Sequence, residues 1–330
     1  MLSFLNNKYI PQLSSLGLGL GVLLILFYFF DWSSFFNIVS SVSLKTFLVL
    51  FLIALITIIA NGLQVFYTTR KTYGFKIVIS DIFLLPAIMH LFGYVLPLRG
   101  SYLFSVFFLR MKYKISIIKG GSIGVVSQLI GFSISGVLLV LIAVFFWSES
   151  SWFLILFGFF LFSSVFFPSA FIFFFKTISF KNNKLAWAFK TLFSISKDLK
   201  VMLLDFKHLM VLVALNISTI LIHSWWFLSV GNTFNLALTI HGYVLYAILF
   251  RLSTFIRLVP GNVGVQEFFA GLISVLLGVG FETGLAIGLF FRMFTFLTNF
   301  FVGVPGLIYN FKFLNTVSYS GLMKKIKGIE

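Results

Sequence analysis

Within residues 236–279 two apolar arms are joined by Pro260-Gly261-Asn262-Val263-Gly264, and within residues 77–109 two more are joined by Pro97-Leu98-Arg99-Gly100. Proline removes a backbone donor and clashes with the preceding helical turn, and glycine lets the chain turn sharply. Each element therefore interrupts a helix inside a run that is otherwise hydrophobic. The second arm of the first pair, residues 101–109, falls well short of the roughly 20 residues a helix needs to cross a bilayer. Both regions read as broken, re-entrant hairpins. Backbone freed in this way is tolerated at membrane depth only where protein or a wet cavity surrounds it.

Outward from the hairpins, uninterrupted apolar runs predict about six spanning helices, at roughly 13–30, 44–65, 119–146, 152–175, 208–230 and 284–309. With 60% hydrophobic and 10% charged residues, no soluble domain is left over. The fold class is an all-α polytopic integral membrane protein, a single membrane domain over 1–330. The run at 13–30 is long for a signal peptide, and Asp31-Trp32-Ser33-Ser34 is no small-residue cleavage site, so a retained first helix is expected.

The net charge of +16 would suggest nucleic acid in a soluble protein, but here the basic residues sit in short connections between apolar runs. Lys8, the loops 66–76 and 110–119, the segment 176–208 and the tail from Lys312 onward hold 19 of the 24 lysines and arginines. The remaining connections carry Asp31, Glu149 and Glu282, with Lys45 nearby. Positive charge marks the cytoplasmic side, which places both termini there and the chain in a cell (inner, cytoplasmic) membrane. Phe-rich, Lys-biased usage fits a low-GC bacterial source. Segment 184–208 differs in kind: Leu185, Phe189, Leu192, Leu199, Leu203 and Phe206 recur near helical spacing while Lys190, Lys197, Asp198 and Lys207 face elsewhere. It predicts an amphipathic helix on the inner leaflet, so 176–208 separates a first half, 1–175, from a second, 209–330.

The halves correspond. Counted from Pro97, Gly120, Gly124 and Gln128 stand at 23, 27 and 31; counted from Pro260, Gly284, Gly288 and Arg292 stand at 24, 28 and 32. Glycines four apart let helices approach closely, so each half begins a tightly packed helix at the same place. Residues 77–96 begin at the basic loop and residues 236–256 at the uncharged one, which makes the copies inverted repeats. Such repeats place discontinuous helices and a binding site near the midplane.

Arg99, Arg251, Arg257 and Arg292 lie within or beside hydrophobic segments, where an arginine must be paired or wetted. They predict a polar cavity for an anionic group, with half-helix N-termini after Pro97 and Pro260 adding backbone donors; for Arg251, snorkelling to the interface is an equal reading. Glu267 is the one carboxylate near the second interruption and is expected to pair with Arg257 or Arg292, with a protonatable coupling site as the alternative if the protein is proton-driven. Gly120-Gly121-Ser122-Ile123-Gly124 has the G-x-S-x-G spacing but opens a membrane helix after a basic loop, not a strand-to-helix turn, so no nucleophile elbow is expected. His90, His208, His223 and His241 are dispersed without metal-ligand spacing and read as hydrogen-bonded packing or interface residues, and cysteine is absent. Trp225-Trp226 suits an aromatic belt. No catalytic constellation, cofactor or metal site is expected.

The stretch from Arg257 to Glu267, followed by Gly280, Ala286, Arg292 and a Gly/Pro-rich helix end at 303–306, resembles the lysylphosphatidylglycerol synthase transmembrane family, also called the flippase-like domain family. Pro260, Gly264, Glu267 and Arg292 match its second motif; Pro97, Arg99 and Gly100 match part of its first. Ser101 and Gln128 stand where many members carry an acidic residue and an Arg/Asp pair. The resemblance implies a membrane domain that moves an anionic or aminoacylated lipid between leaflets, without the fused synthase. The substrate-binding candidates are Arg99, Arg257, Pro260, Gly261, Gly264, Glu267, Arg292 and Gln128, with Pro97, Gly100, Gly120, Gly124, Gly284 and Gly288 as structural positions. The expected partners are membrane lipids, an anionic phospholipid or polyprenyl-linked glycan, with an envelope-biosynthesis enzyme as a further partner and no nucleic acid. Two alternatives stand beside translocation: a non-transporting membrane partner of such an enzyme, and a small-anion secondary transporter.

Overall fold

The computed structural model describes residues 32–76, 78–95, 100–146, 151–166, 183–254 and 262–310. All the regular structure there is helical: α1 (Trp32–Ser41), α2 (Leu44–Tyr73), α3 (Ile79–Val95), α4 (Gly100–Tyr113), α5 (Ile117–Phe145), α6 (Ser151–Ser163), α7 (Asn183–Leu204), α8 (Phe206–Thr233), α9 (Ile240–Ser253), α10 (Val265–Leu276) and α11 (Phe281–Tyr309). Among the described residues, α2, α5, α8 and α11 are long and apolar enough to cross a membrane. Of the other expected spans, 13–30 lies outside the described residues and 152–175 is described only to residue 166, with its helix ending at Ser163.

The repeat is visible in helix lengths. Helices α2 to α5 have 30, 17, 14 and 29 residues, and α8 to α11 have 28, 14, 12 and 29. At 1.5 Å per residue α4 and α10 reach only about 20 Å, so neither crosses a core of about 30 Å. Packing follows the same pattern: α2 and α8 lie together, each hairpin packs on the helix before and after it, α3 also packs on α11 and α9 on α5.

The two hairpins enter from opposite ends. The start of α3 meets the end of α4, where Tyr113 donates to Asp81 and accepts from the Val78 amide at 3.1 Å. Lys112 Nζ lies 2.7 Å from Asp81 Oδ1 and 3.0 Å from Asn310 Oδ1, which ties in the C-terminal end of α11. At this end, too, Lys71 in the last turn of α2 meets Asp205 before α8 at 2.7 Å. The start of α9 meets the end of α5 at the other end, where His241 stacks on Phe146 with centroids 3.9 Å apart. The return of α10 beside α9 is fixed by Tyr246, whose hydroxyl donates to the Ala270 carbonyl at 3.1 Å and accepts from Ser274 at 3.2 Å.

The glycine positions act as their spacing predicts. A Cβ on Gly284 would stand 2.5 Å from the Ala270 carbonyl oxygen, and one on Gly288 would stand 2.9 Å from Ala270 Cβ and 3.0 Å from Glu267 Cα, so α10 lies directly on the glycine face of α11. In the first half α4 lies on α5 more loosely: a Cβ on Gly120 would meet Val106 at 3.4 Å, and one on Gly124 would meet the movable Tyr102 ring.

Three expectations are corrected. The connection 110–119 is mostly helical, because α4 runs on to Tyr113; Lys112 is a buried-pair partner there and not a loop charge. The amphipathic helix ends at Leu204, since Asp205 leaves the helix to accept the His208 amide at 3.1 Å and starts α8. Phe206 and Lys207 thus belong to α8, and Phe206 is exposed. Asp198 does not face outward: it is buried and accepts from Tyr73 and Ser122, while Ile195, Leu199 and Met202 pack against Val126, Ile130 and Leu212. Helix α7 is therefore fastened to the bundle along one face, with Phe193, Lys197 and Lys200 outside. Ser122 of the G-x-S-x-G match has this anchoring role.

Candidate functional site

A cavity of ≈ 310 Å³ opens between the two halves, at the lower end of the range of about 300–1,000 Å³ that ligand pockets occupy. Both repeats line it: Asn61 and Gln64 from α2, His90 and Tyr94 from α3, Ser101 and Tyr102 from α4, Gln128 from α5, Thr219, His223 and Trp226 from α8, Phe250 and Arg251 from α9, Asn262 and Gln266 around the start of α10, and Arg292, Thr298 and Asn299 from α11. The wall mixes amide and hydroxyl groups with aromatic faces, as a site for an amphipathic ligand would.

Arg292 forms the central ion pair. Its Nε donates to Glu267 Oε1, one terminal nitrogen donates to Glu267 Oε2 at 3.0 Å, and the same nitrogen donates to the Asn262 carbonyl at 2.8 Å. Glu267 is 1% exposed on its side chain and Arg292 14%. Removing two charges from water is offset here by bidentate geometry and by further bonds, the condition under which a buried pair holds together. Glu267 is thus paired as expected, and with Arg292 of the two candidates.

Glu267 has a second partner, which corrects an expectation. The Gly264 amide donates to Oε2 at 2.8 Å, so the glutamate folds back over the first turn of α10. That half-helix N-terminus is capped by its own side chain and does not present this donor to a ligand. The turn is tight: Asn262 has φ 55 and Gly264 φ 82, both in the left-handed region, which glycine enters without strain and asparagine tolerates.

Gln128 and Arg292 each stand eleven residues into a 29-residue helix, and both face the cavity, so the repeat places a neutral amide opposite a charged group. Gly100 opens α4. Pro97, Arg99, Arg257, Pro260 and Gly261 lie outside the described residues.

Sequence reasoning left the other cation, Arg251, undecided between the cavity and the interface and did not include it among the binding candidates. Arg251 is held in the cavity wall, away from the interface: one terminal nitrogen donates to Asn216 Oδ1 at 2.7 Å, and Gln64 Nε2 donates to the same oxygen at 3.3 Å. Asn216 is fully buried and its own amide donates to the Leu212 carbonyl at 2.9 Å. Gly131 leaves room for this group, since a Cβ there would lie 3.2 Å from Asn216 Oδ1 and 3.3 Å from the Arg251 guanidinium. The signal was present: Gln64 stands nine residues before the end of α2 and Asn216 ten after the start of α8, which puts two amides at one depth.

Trp226 is likewise no belt residue. It is 2% exposed and packs edge-on against Phe291 with centroids 4.8 Å apart, while Trp225 alone of the two faces outward. His208 is fully buried against the Tyr67 ring with neither ring nitrogen hydrogen-bonded, so it packs without the expected polar partner. Among the described residues no group of three or more His, Asp or Glu could hold a metal.

The family model described as the lysylphosphatidylglycerol synthase TM region matches residues 12–303. No curated protein and no solved structure matches the chain.

Proposed function

The chain belongs to the lysylphosphatidylglycerol synthase transmembrane family, and from that premise we propose that it is a flippase-like protein that binds a phosphate-bearing lipid head group, from an anionic phospholipid or a lipid-linked glycan, and passes it between leaflets. The observation that carries this reading is the arginine-containing cavity of mixed polar and aromatic lining that two oppositely inserted hairpins share as a wall. An oppositely inserted pair gives the chamber two equivalent ways to open, one past each hairpin, as alternating access requires. Acyl tails stay in the bilayer while the head group crosses a wall of amides and hydroxyls. The chain acts without chemistry on the lipid, in the cytoplasmic membrane, with both termini and α7 on the cytoplasmic face.

The test is head-group transfer in reconstituted vesicles. Phosphatidylglycerol labelled on its head group should reach the opposite leaflet at least tenfold faster with protein than without it, and Arg257→Ala should slow that transfer. A rate equal to that of protein-free vesicles would end the reading. Accumulation of tail-free glycerol phosphate at a similar rate would replace it with a small-anion transporter.

A further inference from the structure

We propose that Arg251 is the cation that reads the ligand's phosphate, and that the ligand's remaining head group carries hydroxyls and no amine. This rests on the translocase reading and narrows it.

The argument starts with charge. The chain has eight carboxylates. Asp81 and Asp198 are bonded into the end where α3 begins and α4 returns, and Asp205 caps α8 there. Glu282 is in the first turn of α11 at the other end, and Asp31, Glu149 and Glu330 lie outside the described residues. Among the described residues Glu267 is the carboxylate at cavity depth, and Arg292 and the Gly264 amide occupy both its oxygens. An ammonium-bearing head group would therefore enter a chamber in which no described residue offers it a counter-charge.

Arg251 is in the reverse position. Its guanidinium is held by an amide oxygen, not by a carboxylate, and it lines the chamber. A guanidinium fixed by neutral groups keeps its full charge and its unused donors, arranged in a planar fork that suits a phosphate.

A second observation points to a ligand independently. Asn262 is 7% exposed, lines the chamber, and has neither its Nδ2 nor its Oδ1 hydrogen-bonded. Its left-handed backbone is held by the Arg292 bond to its carbonyl. Asn299, 1% exposed, also leaves Oδ1 unpaired in the same wall. A buried amide without partners is unfavourable unless something completes it. One amide offering both a donor and an acceptor, with a bare acceptor in the same wall, suits hydroxyl groups, which give and take hydrogen bonds.

The experiment compares transfer in phosphatidylcholine vesicles doped with phosphatidylglycerol, with lysyl-phosphatidylglycerol or with phosphatidylethanolamine. Wild-type protein should move phosphatidylglycerol at least about tenfold faster than either amine-bearing lipid, because all three offer Arg251 a phosphate while the amine-bearing two also bring an ammonium that is left unpaired. Arg251→Gln should lower phosphatidylglycerol transfer about tenfold or more, Arg251→Lys should restore part of it, and Asn262→Ala should lower it several-fold. If Arg251→Gln does not fold, as judged by elution and thermal midpoint in detergent, Asn262→Ala and the lipid preference decide. Lysyl-phosphatidylglycerol moved as fast as phosphatidylglycerol, or wild-type rates in both variants, would overturn the inference. Uptake of glycerol phosphate lost in Arg251→Gln would overturn the lipid as source. Absence of any lipid transfer by the wild type is failure of the translocase reading itself; native mass spectrometry of phosphatidylglycerol bound to wild type against Arg251→Gln then judges the site alone, and equal binding would overturn it.

Discussion

The two hairpins have similar helix lengths and corresponding packing partners, yet their fixed charges stand at opposite ends. In α3/α4 the ionic cluster is at the open end, where Lys112 and Tyr113 bond Asp81 and Lys112 also reaches Asn310. In α9/α10 the open end is closed by apolar and aromatic packing, and the ion pair lies deep, at the first turn of α10. A charge near the headgroups keeps partial access to water, whereas one at mid-depth must be compensated wholly by protein. The first hairpin thus spends its charges on anchorage, and the second builds a chamber wall with them.

The largest expected effect breaks the deep pair. Arg292→Ala should destabilise the protein by about 3–5 kcal/mol, because it strands a buried carboxylate. Thermal unfolding in detergent measures this, and the double variant Glu267→Gln/Arg292→Gln should recover a large part of the loss. Lys112→Ala at the open end should be milder, about 1.5–3 kcal/mol, since the buried Asp81 keeps its Tyr113 bond. Equal losses in the two hairpins would erase the distinction drawn between them.

Next come the glycine faces. Gly284→Ala drives a Cβ into a backbone carbonyl and should destabilise by about 1–3 kcal/mol. Gly120→Ala, at the equivalent place, meets an ordinary contact and should be neutral or stabilise by up to about 1 kcal/mol through helix propensity. A reversed order would mean that the repeats do not pack as described.

The smallest effect is at the exposed Lys71–Asp205 contact. The Lys71 hydrogen bond, followed by the His208 amide, holds the Asp205 carboxyl below the ordinary carboxylate range. A group whose folded pKa is depressed stabilises above its unfolded value, about 3.9, and that contribution fades as pH falls through the folded value. Asp205→Asn keeps a capping oxygen and removes the charge, so its stability difference from wild type should shrink below about pH 4. A difference that stays constant down to pH 3 would show that the charge is idle there.

Much of this was legible because lipid restricts the options. A long apolar run must be a helix, and Pro97 and Pro260 could only interrupt one. The repeat was legible from glycine and proline offsets alone, and the pairing of Glu267 followed from its being the single acid within reach. What escaped depended on tertiary partners. Arg251 can snorkel or turn inward with the same local sequence, and only Asn216 and Gln64 on two other helices decide which. Asp198 and Lys112 look like surface charges until Tyr73, Ser122 and Asp81 are brought to them. The capping of α10 by Glu267 needs the left-handed turn at Asn262 and Gly264, whose geometry no periodicity reports.

The opposite insertion of the two hairpins is the claim everything else stands on, and a chain without native cysteines permits a direct test. Lys76→Cys, exposed at the entry to the first hairpin, and Glu282→Cys, exposed just beyond the second, should react with a membrane-impermeant maleimide from opposite faces of sealed vesicles, Lys76→Cys from the cytoplasmic side. Labelling of both from one and the same face would contradict the account.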